Sequence, residues 1–400
     1  MYEPLQHPAS PRGDNETPTD SAAAVAATGA GGPTGQARNR RRLADDYRDG
    51  RVILRGRPAH LKIELTNFCN LACPMCPHSQ MQRPVGYMTP ELFRSILDQA
   101  APELEFAYLH HLGESLFHPR IGELITYGKR RGAAMGLSTN ATFLTAGKTA
   151  ALLDSGLDFL VISLDANSPE SYAQMRRGGD FRRTVGNVRR LFAEKHAKKS
   201  PLNVVVQMIV SAHNQHEVAD FARAWDGQVV LKVARDWAGQ VPLSALLRPR
   251  RSATAGAAGT APGPSQPAAA EPFSSADPSR AAPPEHATAA PPASEPGPCR
   301  MLWTELTVLW DGKVVPCANV YEHQNLLGDL RTQTLAEIWN GPPMQALRRA
   351  HLASAVAQIP VCRSCPRHPF DRQDFIAVDQ LTQRLRNYVG VDLTPRPGLS

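Results

Sequence analysis

The sequence predicts an α/β fold built on a parallel sheet, and two observations carry that prediction. Between residues 60 and 236, short β-branched or apolar runs alternate with amphipathic stretches, and the runs number six. Strands separated by helices pair in parallel through right-handed crossovers. In chain order the strands are expected at His60–Leu65, Glu105–Leu112, Ala133–Ser138, Phe159–Leu164, Leu202–Val210 and Val229–Ala234. Apolar residues at helical spacing between them predict helices over Glu91–Ala100, Ile121–Arg131, Ala146–Ser155 and Phe181–Lys195. Six units are too few to close an eight-stranded barrel.

Composition limits how much of the 400 residues folds. The N-terminal residues are small and polar, and 26 of the 50 residues from 251 to 300 are Ala or Pro. Such segments bury too little apolar surface to offset the entropy of ordering them. The expected organisation is a disordered segment over 1–45, a core over 58–245 and an Ala/Pro-rich disordered linker over 247–297. A small C-terminal domain over 298–370 and a tail over 371–400 complete it.

The net charge of +7 does not predict a nucleic-acid partner. Arg38, Arg40, Arg41 and Arg42 lack interleaved aromatics, and the arginines from Arg176 to Arg190 lie largely on an expected helix, where they make a solvated face. No apolar run reaches the roughly 20 residues of a membrane span. The Ala22–Ala27 stretch follows acidic residues, which makes it a poor signal peptide. Seven cysteines without an export signal place the chain in the cytoplasm, with reduced thiols rather than a disulfide framework.

Three of those cysteines form Cys69-x3-Cys73-x2-Cys76, just past the first expected strand. A cubane iron–sulfur cluster normally takes four thiolates. Held by three, it keeps one iron open, and an open position makes a metal reactive. The other four are Cys299, Cys317, Cys362 and Cys365. Strand-like Glu305–Trp310 and Lys313–Cys317 flank Asp311-Gly312, which suits a two-residue hairpin turn with positive φ. That hairpin brings Cys317 back toward Cys299. A zinc ribbon also fits four cysteines that include one Cys-x2-Cys.

The text Phe68-Cys69-Asn70-Leu71-Ala72-Cys73-Pro74-Met75-Cys76 resembles the signature of the radical S-adenosylmethionine (SAM) enzymes. Trp310 to Cys317, Leu327 to Leu330, Ile338 to Asn340 and Cys362-Arg363-Ser364-Cys365 resemble the SPASM module that follows many such cores. The resemblance covers about residues 58–366. It implies a partial (β/α)6 TIM-like barrel with a small C-terminal α+β iron–sulfur domain. It further implies a catalytic [4Fe–4S] cluster on Cys69, Cys73 and Cys76, whose open iron chelates SAM. An auxiliary [4Fe–4S] cluster then falls to the other four cysteines, with none left over.

On the same resemblance, Gly113 and Glu114 match the family's "GGE" segment, with Leu112 in place of the first glycine. Ser138 and Asn140 match the polar segment after the third strand, Ser163 and Asp165 the "SLDA" segment after the fourth, and Gln207 the adenine-contacting strand. Arg176 matches an arginine that often pairs with the SAM carboxylate. These eight residues are the expected SAM contacts; His110, His111 and His118 are read as structural or solvated.

The implied reaction is cleavage of SAM to a 5′-deoxyadenosyl radical, which takes hydrogen from a small aminocyclitol- or sugar-like substrate, giving an oxidation. Epimerisation, which needs a spare cysteine, and maturation of a ribosomal peptide are the alternatives. A silent iron–sulfur or zinc binding module is the non-enzymatic one. A flavodoxin or ferredoxin is the expected reductant.

Overall fold

The computed structural model describes residues 35–226, 228–234, 236–243, 246 and 297–365. The expected disorder of residues 1–34, the linker up to residue 296 and the tail lie outside the described residues.

Among the described residues nine strands form one sheet: β1 His60–Ile63, β2 Phe106–Tyr108, β3 Ala134–Thr139, β4 Phe159–Ser163, β5 Asn203–Val210, β6 Val229–Val233, β7 Glu305–Val308, β8 Lys313–Val315 and β9 Gly328–Asp329. The helices that precede or link the first six are α1 Gly35–Arg48, α2 Pro90–Ala100, α3 Ile121–Arg130, α4 Ala146–Asp154, α5 Pro169–Met175, α6 Phe181–Ala197 and α7 Val218–Ala224. The spatial order is β6-β5-β4-β3-β2-β1-β7-β8-β9. All pairs from β6 to β7 are parallel, whereas β7–β8 and β8–β9 are antiparallel.

Side chains alternate across a strand, and paired residues of a parallel sheet share a face. One face carries Leu61, Ile63, Ala107, Met135, Leu137, Leu160, Ile162, Val204 and Val206, packed in a single core with Phe93, Ile96, Leu124, Leu152 and Leu191 of the helices. The register then places Lys62, Tyr108, Ser138, Val161, Ser163, Val205, Gln207 and Thr307 on the other face. A small apolar group, Val161, Val205 and Val230, floors this open face. Four helices start on sequence cues: Thr89, Thr145, Ser168 and Asp180 each cap the first turn of α2, α4, α5 and α6 with a side-chain oxygen.

Three expectations are corrected. Residues 35–45 are helical, not disordered. The buried face of α1 is Asn39, Leu43 and Asp46, largely polar, so no apolar period announces it. Asn39 exchanges two hydrogen bonds with the backbone of Arg57, and Asp46 accepts from Arg55 N and Nε at 2.7 and 2.6 Å. The strand expected over Glu105–Leu112 is confined to Phe106–Tyr108. The C-terminal hairpin turns through Leu309–Gly312 rather than two residues, with Gly312 N–H donating to Leu309 O and only Gly312 at positive φ (86°).

The C-terminal strands do not form a sheet of their own. β7 lies directly beside β1, so the C-terminal residues extend the core sheet. A buried pair reinforces that seam: Arg83 Nη1 and Nη2 donate to the Glu64 carboxylate at 2.9 and 2.8 Å, and Arg83 Nε donates to Tyr321 O.

Candidate active site and auxiliary thiol site

The first thiol group sits beyond the carboxyl end of β1, whereas the second includes Cys299 and Cys317 at the amino end of β7, where the antiparallel β8 ends. The loop after β1 carries Cys69, Cys73 and Cys76, packed with Leu71, Met75, Met175 and Leu246. Three neighbours fix it. Glu114 N donates to Phe68 O at 2.7 Å, Ala72 N to Arg177 O at 3.0 Å, and Trp237 Nε1 to Met75 O at 3.1 Å. Gly113, at φ 79°, makes the first of these contacts possible. A Cβ there would lie 2.4 Å from Thr66 O and 2.7 Å from Asn67 Cα, so only glycine lets this loop lie against the chain leading to Cys69.

Glu114 is fully buried, and protein groups already engage both its oxygens. Oε1 accepts from Thr139 Oγ1 at 2.7 Å and Leu116 N at 3.1 Å; Oε2 accepts from Asn140 N at 2.6 Å. Burial raises its pKa, and these hydrogen bonds act against that. Glu114 thus anchors the end of β3, which aims Asn140 Nδ2 at Cys69 Sγ, 3.8 Å away.

Asp165 and Arg176 meet on the other side of the loop. Arg176 Nη2 lies 2.5 Å from Asp165 Oδ2, and Nη1 lies 3.6 Å from Cys73 Sγ. Asp165 Oδ1 accepts from Ile209 N at 2.6 Å. Burial works to lower the Arg176 pKa, but Asp165 and Cys73 outweigh it and hold it above the ordinary value. Ser138 Oγ and Ser163 Oγ are 3.1 Å apart, and Gln207 Nε2 donates to Ser163 at 3.4 Å. All eight residues matched to SAM contacts therefore border the cysteine loop or the open face beneath it.

Sequence reasoning missed Lys62, Glu305 and Thr307 on that face and read His110, just past β2, as structural or solvated. Lys62 Nζ and Glu305 Oε1 pair at 3.3 Å across the seam. His110 Nδ1 and Thr307 Oγ1 are buried with no hydrogen-bond partner among the described residues. Burial, with Lys62 and Arg176 adding to it, takes the His110 pKa down to about 3, so this ring is neutral. Their only sequence signal is a polar residue at alternate positions of an apolar strand. His111 and His118 are structural, bonding Val320 O at 3.1 Å and Met88 O at 2.9 Å.

The second thiol group is assembled from three places. Cys299 precedes the short helix leading into β7, Cys317 follows β8, and Cys362 and Cys365 share one turn in which Cys365 N donates to Cys362 O. His351 ties Cys299 to Cys362: its Nδ1 is 3.3 Å from Cys299 N and its Nε2 3.4 Å from Cys362 Sγ. Asn319 Nδ2 is 3.2 Å from Cys365 Sγ. A cleft of about 330 Å³, lined by Gln240, Asn319, Val361 and Ser364 among others, opens beside it.

The donor sets fit iron–sulfur clusters. Burial pushes the Cys69 and Cys317 thiols up to about 11 and Cys76 up to about 12, so they keep their protons until a metal displaces them. No three His, Cys, Asp or Glu side chains among the described residues converge tightly enough for one metal ion. A cubane does not require that, because each thiolate takes a different iron.

Comparison with known proteins agrees. The radical SAM superfamily model matches residues 63–224, and the SPASM iron–sulfur cluster-binding domain model matches 299–366. Together they span more than half of the chain. The chain is 31% identical over 172 residues to the tungsten-containing aldehyde ferredoxin oxidoreductase cofactor-modifying protein of Pyrococcus furiosus, covering 41% of this chain and 47% of that protein. It is 35% identical over 116 residues to the PqqA peptide cyclase of Streptomyces rochei, covering 28% and 32%. The matches thus span half or less of these relatives. The fold is similar to that of Streptococcus suis SuiB bound to precursor peptide SuiA, with a TM-score of 0.53, 14% identity, and coverage of 77% of this chain and 70% of that one. Radical SAM and SPASM domains together bring SAM and [4Fe–4S] clusters as cofactors, the SPASM domain holding the auxiliary kind. With both domains matched and both thiol groups assembled, this chain belongs to the radical SAM superfamily and carries a SPASM domain.

Proposed function

We propose that this protein is a radical SAM oxidoreductase acting on a small molecule rich in hydroxyl or amino groups, of the aminocyclitol or sugar kind. The observation that carries the reading is the polar set on the open face: the Lys62–Glu305 pair, Tyr108, Ser138, and the unpartnered His110 Nδ1 and Thr307 Oγ1. A buried polar atom left unpaired costs about 1–3 kcal/mol. A compact ligand with several donors and acceptors relieves that cost.

In this reading Cys69, Cys73 and Cys76 hold the SAM-binding cluster, and Cys299, Cys317, Cys362 and Cys365 the auxiliary one. Gly113, Glu114, Ser138, Asn140, Ser163, Asp165, Arg176 and Gln207 surround SAM. Gly113 and Glu114 act by fixing the loop and β3. Arg176, with its charge held by Asp165, faces the cysteine loop. Once bound, the cofactors supply one-electron SAM cleavage, hydrogen abstraction by the 5′-deoxyadenosyl radical, and an acceptor for the substrate's remaining electron. A flavodoxin or ferredoxin supplies the first electron. All seven cysteines fall in the two thiol groups, leaving none to return hydrogen as an epimerase requires.

Peptide modification is the second reading, supported by the peptide cyclase relative and by the open cleft beside the auxiliary thiols. The test is to reconstitute the protein anaerobically and offer aminocyclitols, aminosugars and peptides with SAM and a reductant. The proposal expects a small polyol or amine to accelerate 5′-deoxyadenosine release, transfer its own hydrogen into that product and lose two mass units. Acceleration by peptides alone contradicts the small-molecule reading and favours the second.

A further inference from the structure

The auxiliary thiols have nitrogen donors aimed at them. His351 closes the helix Pro342–Leu352 and is only 6% exposed. A backbone amide can only donate, so Cys299 N–H, 3.3 Å away, makes His351 Nδ1 an acceptor. The proton of the neutral ring then sits on Nε2, which faces Cys362 Sγ at 3.4 Å. Asn319 presents its side-chain amide NH2 to Cys365 Sγ at 3.2 Å, and its backbone carbonyl accepts from Gln240 Nε2 at 3.0 Å, which holds the main chain at this position. Two of the four thiols therefore receive side-chain N–H groups, the His351 ring oriented by Cys299 N–H and the Asn319 backbone held by Gln240.

We propose that His351 and Asn319 are tuning residues of the auxiliary cluster, donating N–H···S bonds that hold its potential above that of the same cluster without them. A hydrogen bond to a thiolate withdraws electron density and favours the more negative, reduced state of the cluster. This suits a cluster that accepts an electron from substrate. The inference rests on the auxiliary-cluster reading and deepens it.

The experiment uses the full chain with Cys69, Cys73 and Cys76 changed to Ala, so that only the C-terminal thiols can hold a cluster. Iron and sulfide analysis comes first and tests the auxiliary-cluster reading by itself. Midpoint potentials from EPR-monitored titration then test the inference. His351→Leu and Asn319→Leu should each shift the midpoint to a more negative value. His351→Gln, whose amide can accept from Cys299 N–H and donate to Cys362, should restore most of the shift. A loaded cluster with an unmoved midpoint in both Leu variants overturns the proposal.

If the Leu variants lose the cluster, labelling the parent with ¹⁵N-histidine decides. Pulsed EPR of the reduced cluster should show one weak ¹⁵N coupling, of a size set by a hydrogen bond. No coupling, or the strong coupling of an iron-bound imidazole, overturns the assignment.

Discussion

Arg176 stands between Asp165 and Cys73, its guanidinium 2.5 Å from the carboxylate and 3.6 Å from the thiol. The arginine matched to one that often pairs with the SAM carboxylate is thus already anchored by the protein. Asp165→Asn leaves a buried cation beside the cysteine loop without its counter-charge. Breaking a buried pair from one side costs about 3–5 kcal/mol. Denaturant unfolding should show a loss of that size, and SAM affinity, read by equilibrium dialysis, should fall as well. Unchanged stability would show that Asp165 does not hold Arg176.

Gly113→Ala forces a Cβ into the backbone of Thr66 and Asn67 at a φ of 79°. Strain of this kind costs about 1–3 kcal/mol. It falls on the start of the cysteine loop, so reconstituted iron should drop toward half while the auxiliary cluster's EPR signal persists. Full iron loading would contradict the role given to Gly113.

The Glu64–Arg83 pair supports the seam between β1 and the C-terminal residues. Arg83→Met should destabilise by about 3–5 kcal/mol, whereas Glu64→Met with Arg83→Met should recover most of that loss, because no buried charge is then left alone. A double variant as unstable as the single one would place the effect in packing instead.

The six core strands were legible because β-branched runs and helical periods are local signals, and the four expected helices all appear close to their expected bounds. The cysteines were legible because their spacing is local too. Three features were not. Helix α1 buries Asn39 and Asp46, so its packing face reads as polar. The β1–β7 pairing joins His60 to Glu305, residues far apart in sequence, and nothing local specifies that register. Lys62, Glu305, Thr307 and His351 acquire their roles only once those strands and helices are side by side. Glu114 and Arg176 were located by resemblance, but their protein partners, Thr139, Asn140 and Asp165, came from tertiary structure.

Lys62 and Glu305 test the substrate face; neither is a cysteine-loop residue, although both act electrostatically on Cys317. Lys62→Met should leave SAM cleavage without substrate unchanged within about twofold. It should weaken the substrate's stimulation of 5′-deoxyadenosine release about tenfold or more, as expected for loss of a charge-assisted contact worth roughly 1.5–3 kcal/mol. Equal loss of both activities would move Lys62 from recognition to structure.

The most direct test of the central claim is 5′-deoxyadenosine formation by the anaerobically reconstituted protein supplied with SAM and dithionite. The intact chain should form it. The variant with Cys69, Cys73 and Cys76 changed to Ala should form none, while retaining an auxiliary cluster on Cys299, Cys317, Cys362 and Cys365. Continued 5′-deoxyadenosine production by that variant would contradict the assignment of these three thiols as the SAM-cleaving site.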